Sequence, residues 1–203
     1  MLTLYGMGSS GNCYKPRLLM GKLGIPFRHV EVNPIIGETR SQGFLAKNPN
    51  GKVPLLELED GRVLAESNAM LLYLADGSRL MPSDAYERAL VYQWLFFEQY
   101  SHEPSIAVRR ALILYPERAD QATPERMGQL LESGHRALGV MDAQLAKSTF
   151  LAGDTLTVAD LALYAYTQDA GYAGYDMTRF PHVTRWLEDV RSDDGHVPIN
   201  WLP

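Results

Sequence analysis

The chain has 203 residues, 46% of them hydrophobic and 21% charged, with a formal net charge of -5. A chain of this length buries about 70% of the surface it exposes when unfolded, and the composition is that of a folded domain rather than a disordered tail. The acidic balance is the reverse of the basic surplus that a general nucleic-acid binder carries, so that class is disfavoured.

Residues 1–8 lack the basic start of a secretion signal, and Gly6, Gly8 and Gly11 interrupt any apolar stretch. Residues 2–7 read as a strand. Residues 13–25 read as a helix with Leu18, Leu19, Met20 and Leu23 on its apolar face and Gly24 at its end. Pro16 belongs near its first turn, where the missing N–H does least harm. Residues 27–33 follow as a second strand. Residues 52–58 and 62–65 pair as a hairpin around Glu59, Asp60 and Gly61. Residues 67–75 form a short apolar helix, and its run from Ala69 to Ala75 is far too short to cross a bilayer. This order describes a small α/β unit over residues 1–77. A linker containing Pro82 spans 78–84. Residues 85–203 read as all-helical. Positions 85–101 are apolar on most of the circumference, as in a helix buried on more than one side. Met127, Leu130, Leu131, Leu138, Met141 and Leu145 make a second stripe. At 156–161, Thr157 caps a helix, Asp160 completes a capping box and Leu156 staples to Leu161. A last helix with Val183, Trp186, Leu187 and Val190 follows Pro181.

The single cysteine, Cys13, excludes an internal disulfide and a CxxC zinc site, and no two histidines stand at metal-ligand spacing in a helix, so no metal is expected. Without disulfides or a signal, a reduced, cytoplasmic setting is the default. The most informative stretch is Ser9-Ser10-Gly11-Asn12-Cys13-Tyr14-Lys15, where a strand gives way to a helix. Unpaired N–H groups and about half a positive charge at a helix mouth stabilise a thiolate, as in CxxC sites. Here Ser10 stands where the exposed cysteine would be, so a thiol would have to arrive with a ligand; Ser10 would donate to its sulfur and Asn12 could donate a second bond. The plain alternative is a polar helix cap. In Asn48-Pro49-Asn50-Gly51-Lys52-Val53-Pro54, a cis Val53–Pro54 bond would turn the Val53 backbone toward an extended peptide; the alternative is an ordinary turn into a strand. Ser67 caps the 67–75 helix, whose N–H groups suit a carboxylate, and Glu66 beside it could hold an ammonium. Lys52 and Arg40 could take a second carboxylate. Together these residues describe a groove for a small acidic thiol peptide.

On these residues the chain resembles a cytosolic glutathione S-transferase. The Ser-Gly-Asn-Cys-Tyr-Lys turn, the Asn-Pro-Asn-Gly-Lys-Val-Pro segment, the helix beginning Glu66-Ser67-Asn68 and the motif Leu151–Leu161 carry the likeness over almost the whole chain, and the turn is similar to that of bacterial serine-type (theta- or nu-like) members. The resemblance implies an α/β plus all-α architecture: a thioredoxin-like glutathione-binding domain (1–77), a linker (78–84) and an all-helical domain carrying the electrophile pocket (85–203), usually in a homodimer. It implies Ser10 against the glutathione sulfur with Asn12 in support, Val53 and Pro54 at the cysteinyl backbone, Glu66 and Ser67 at the γ-glutamyl end, and Lys52 and Arg40 near the glycyl carboxylate. Tyr5 lies where other members place a catalytic tyrosine, but Ser10 is favoured. A small hydrophobic electrophile would meet Tyr100, His102, Arg109, Tyr115 and the region 164–175. The implied activity is detoxifying transfer of the glutathione thiol to an electrophile, with glutathione as co-substrate and no metal, nucleic-acid or membrane partner. Two other readings remain: a glutathione-dependent disulfide oxidoreductase, and a non-catalytic binding module on the same fold.

Overall fold

Residues Leu2–Gly6 form the central strand β1 of a four-stranded sheet. The structure is a computed structural model describing residues 1–203. β1 runs parallel to β2 (Phe27–Glu31) and antiparallel to β3 (Leu55–Glu57), which pairs antiparallel with β4 (Val63–Ala65), giving the order β2-β1-β3-β4. Between β1 and β2 lies helix α1 (Gly11–Leu23); α2 (Gln42–Lys47) precedes β3, and α3 (Ser67–Ala75) follows β4. The two-residue period of the strands divides the apolar side chains between two faces. Leu4 and Leu56 join Met20 of α1 and Met70 of α3 on one; Leu55 joins Phe44 of α2 on the other, with Tyr5 packed against that second cluster.

α1 begins at Gly11, two residues earlier than its apolar pattern indicates, because Ser10 is the capping residue. Pro16 therefore lies in the second turn, where it forgoes the bond that its N–H would give to Asn12 C=O. Gly24, at φ 64, ends the helix in the left-handed conformation expected of it.

Two units emerge from the contacts: Met1–Ser78 together with Asp194–Pro203, and Arg79–Asp193. The helical unit thus begins at Arg79, within the expected 78–84 linker, and stops at Asp193, short of the expected residue 203. The last ten residues belong with the sheet, not with the helices. Tyr14 donates its hydroxyl to Val197 C=O at 2.6 Å, Arg17 Nη2 donates to Ile199 C=O at 2.9 Å, and Trp201 stands edge-on to Phe27 with ring centroids 6.0 Å apart. Nor is the expected linker a free tether. Leu80 is fully buried, and its carbonyl accepts from Val158 N–H at 3.0 Å inside the second unit.

The second unit holds α4 (Ala85–Phe97), a π-helical turn over Glu98–His102, α5 (Glu103–Leu114), α6 (Pro124–Leu145), α7 (Val158–Thr167) and α8 (Pro181–Ser192). Its anchor is Asp160, which is fully buried. Its carboxylate accepts from Thr157 N–H (2.9 Å), Thr157 O–H (3.0 Å), Leu151 N–H (2.9 Å) and Trp186 Nε1–H (2.9 Å). Burial pushes this carboxyl up, against the pull of all four donors. No helix is long and apolar enough to cross a membrane.

Candidate active site

The first unit brings two helix N-termini together. At the mouth of α1, Ser10 Oγ accepts from Cys13 N–H at 3.4 Å. That bond uses an oxygen lone pair, while the hydroxyl also bonds the Cys13 thiol and holds it down against burial; turned from Cys13 to a ligand sulfur, the same proton makes capping and thiol contact compatible roles for one residue. Cys13 is fully buried, and burial pushes its thiol up to about 11, which leaves it protonated and packed at neutral pH.

At the mouth of α3 the capping position is Glu66, not Ser67, and the Glu66 side chain makes no cap hydrogen bond. A helix N-terminus is suited to a carboxylate through its N–H groups and the positive end of its dipole. Glu66 is the one non-glycine residue with positive φ (69°, ψ 114°), a conformation that costs about 1–3 kcal/mol and persists where surrounding structure or function requires it. Ser67 is the first helical residue and buried; its hydroxyl donates to Asn12 Oδ1 at 3.3 Å. Asn12 thus joins the two helix mouths.

Lys15 completes this junction and has no assigned role in the sequence reading. It is fully buried, with Nζ 3.5 Å from Ser67 Oγ and 3.3 Å from Asn68 Oδ1. The signal that could have revealed it is a lysine in the helix that begins at the Ser10 cap, next to the Asn12 turn that the sequence reading already singled out.

Of the two readings of this segment the bond is the cis one, Val53–Pro54, and Val53 packs against the cluster of Phe44 and Leu55. The preceding turn is built by Asn48, whose side chain donates to Lys52 C=O at 2.8 Å and accepts from Asn50 N–H at 3.2 Å. Gly51 sits in this turn at φ 62°; a Cβ there would lie 2.7 Å from Arg40 Nη1, which reaches Asn50 C=O at 3.5 Å. Arg40 and Lys52, both exposed, therefore meet at one loop.

Tyr5 is committed elsewhere. Its side chain lies on the α2 face of the sheet, donating to Glu57 Oε2 at 2.6 Å and accepting from Lys47 Nζ at 3.1 Å.

The four residues expected at the electrophile separate in the helical unit. Tyr100 is 89% exposed. Tyr115 is half-buried at the end of α5, with Arg118 over its ring. His102 is a correction: it is fully buried, with Nε2 2.8 Å from Thr167 Oγ1, because the π-helical turn directs it between helices. Arg109 is another, since its guanidinium braces the unit by donating to Ala173 C=O (2.7 Å) and Met127 C=O (2.6 Å). In the 164–175 region, burial holds the phenols of Tyr164 and Tyr175 up at about 12, and Tyr175 donates to Leu130 C=O at 2.9 Å.

Residues 4–79 match the family model for the glutathione S-transferase N-terminal domain, and residues 83–189 match that for its C-terminal domain. The chain belongs to the glutathione S-transferase family. It is 29% identical to glutathione S-transferase GstB of Escherichia coli, over all of this chain and 99% of that protein. Among solved structures, a glutathione S-transferase from Pseudomonas fluorescens is 47% identical with a TM-score of 0.94, covering 98% of each chain. The glutathione transferase URE2P6 of Phanerochaete chrysosporium, in complex with oxidised glutathione, is 25% identical with a TM-score of 0.85, covering 96% of this chain and 92% of that one. The first unit is thus the thioredoxin-like half of a glutathione transferase, and the second its helical half.

Proposed function

We propose that this glutathione transferase is a serine-type member in which Ser10 donates a hydrogen bond to the glutathione sulfur and favours its thiolate. The carrying observation is the pair of helix N-termini joined through Asn12, Ser67 and Lys15, one capped by Ser10 and the other without a cap from Glu66. At the mouth of α1, the helix dipole and one or two charge-assisted bonds are of the size needed to lower a thiol pKa by about 2 units, or about 2.7 kcal/mol. At the mouth of α3, Ser67 and the positive end of the helix dipole receive the γ-glutamyl carboxylate, Lys15 adds positive charge from behind, and Glu66 takes the ammonium. The Val53 backbone beside Pro54 pairs with the cysteinyl residue. Arg40 and Lys52 offer cations to the glycyl carboxylate.

The thiolate then attacks a small electrophile: sulfur forms the new bond, and the leaving group departs with the displaced electron pair. Tyr100 and Tyr115 are the candidate contacts in the helical half, and the working species is a homodimer in the cytosol. A disulfide-reducing activity is the second reading, favoured by oxidised glutathione in the Phanerochaete relative. Retention on glutathione resin followed by elution with free glutathione tests the groove. Rates with a chlorinated nitrobenzene and with a small glutathione mixed disulfide then decide the reaction. Turnover of the first supports transfer, turnover of the second alone supports reduction, and binding without either leaves a non-catalytic module.

A further inference from the structure

The loop that presents Ser10 is gripped on both sides of a single residue. Gly8 N–H donates to both carboxylate oxygens of Glu31, each at 3.1 Å. Gly8 C=O accepts from Arg17 Nη2 at 2.6 Å. A Cβ placed on Gly8 would lie 3.6 Å from Glu31 Oε2 and 4.0 Å from Arg17 Nη1, so opposite charges converge there. Two further bonds carry the constraint forward: Met7 N–H donates to Cys13 Sγ at 3.4 Å, and Ser10 N–H donates to Met7 C=O at 3.1 Å.

Each half of the grip is backed by other structure. Glu31 closes β2 and pairs with His29 Nε2 at 3.0 Å. Arg17 is fully buried, and the same Nη2 also donates to Ile199 C=O of the C-terminal segment at 2.9 Å. Its Nε and Nη1 find no acceptor. A buried guanidinium with unmet donors is an expensive way to fill a core, and an apolar side chain of similar volume commonly serves stability as well or better. What an apolar residue could not do is hold the Gly8 carbonyl.

We infer that Glu31 and Arg17 are positioning residues for Ser10: together they clamp Gly8, and the clamp sets where the Ser10 hydroxyl meets the glutathione sulfur, with the C-terminal segment as its far anchor. This rests on the assignment of Ser10 as the thiol contact. Small displacements of an aligned group are costly in rate, so a device that fixes the loop two residues upstream acts on kcat more than on substrate affinity.

The test compares Ser10→Ala, Glu31→Ala, Glu31→Gln, Arg17→Met and the Ser10→Ala/Glu31→Ala double variant of the full chain. Two readouts are taken: amide hydrogen exchange at Gly8 and Ser10 without glutathione, and the pKa of bound glutathione with kcat and KM toward a chlorinated nitrobenzene. Glu31→Ala should speed exchange at both amides at least about tenfold, raise the bound-thiol pKa by about one unit and cut kcat about tenfold, with KM for glutathione within about threefold. Glu31→Gln keeps an acceptor for Gly8 N–H and should recover most of the loss. Arg17→Met releases the opposite side of Gly8, should act in the same direction, and serves if Glu31→Ala misfolds. The double variant should be no worse than Ser10→Ala alone. If Ser10→Ala shifts the thiol pKa while neither clamp variant does, or if the double variant shows additive losses, the clamp is not acting through Ser10 and the inference is wrong. If Ser10→Ala leaves the thiol pKa where it was, the Ser10 assignment itself fails and the inference goes with it; faster exchange would then record only a structural tether.

Discussion

Replacing Lys15 by methionine tests the junction of the two helices. Its ammonium is 3.5 Å from Ser67 Oγ. A carboxylate that draws that hydroxyl proton away from Asn12 Oδ1 and accepts it at about 2.7 Å would sit no more than about 6 Å from Nζ. At an effective dielectric constant of about 20, that separation is worth about 3 kcal/mol. The ligand end is open to solvent, so roughly half survives, about 1.4 kcal/mol or tenfold in affinity. Methionine reproduces the lysine side chain as far as Cε, and removing a buried charge is often tolerated by the fold, so thermal unfolding should move little. Isothermal titration with glutathione should show a dissociation constant about tenfold higher in Lys15→Met, and much closer to the parent in Lys15→Arg. The same titration with an analogue lacking the γ-glutamyl carboxylate should show no difference between parent and variant. Equal losses for both ligands, or glutathione binding within twofold of the parent, would refute the placement of that carboxylate.

Glu66→Gly should raise the melting temperature, because glycine accepts a φ of 69° and relieves about 1 kcal/mol of strain, while weakening glutathione binding by about 1.5 kcal/mol or more through the lost ammonium contact. Calorimetry and titration on one sample check the opposite signs; a lower melting temperature with unchanged binding would contradict both. Asp160→Ala should destabilise the helical half by about 3–5 kcal/mol, since four donors lose their acceptor, read as a lower denaturant midpoint; a midpoint near the parent's would show that the anchor is dispensable. Cys13 should resist iodoacetamide at pH 8 in the folded protein and react on unfolding. Its pKa rises from 9.0 to about 11 on folding, so the protonated thiol favours the fold, and that contribution is complete below pH 9 and lost as pH rises toward 11. Cys13→Ala should remove up to about 2.7 kcal/mol of this alkaline loss in urea melts at pH 8 and pH 11, and parallel profiles would contradict it.

Local signals made most of the fold legible. Ser10, Gly24, the turn at Gly61 and the capping box at Thr157 and Asp160 are short-range devices, and each stands where its residue type indicates. Non-local pairing was not legible. Nothing in residues 194–203 announces that Val197 and Ile199 will offer carbonyls to Tyr14 and Arg17, partners more than 180 positions away. At the site, motif residues were found because helix mouths and a proline-marked turn have recognisable chemistry. Lys15 and Arg17 were missed because buried charges look like surface charges until their surroundings are known, and Glu31 because its partner, the Gly8 N–H, lies 23 positions away. His102 and Arg109 failed in the opposite sense: polar residues on a helix suggest a pocket, while a π-helical turn and two distant carbonyls turn them inward.

The most direct measurement is the ultraviolet thiolate titration of glutathione bound to the parent and to Ser10→Ala. In the parent the bound thiol should titrate about 2 units below its free value near 8.5, and in the variant it should move back by a unit or more with affinity nearly unchanged. A parent complex whose thiol titrates as it does in free solution, or a variant indistinguishable from the parent, would contradict the claim that the Ser10 hydroxyl at the mouth of α1 makes the sulfur anionic.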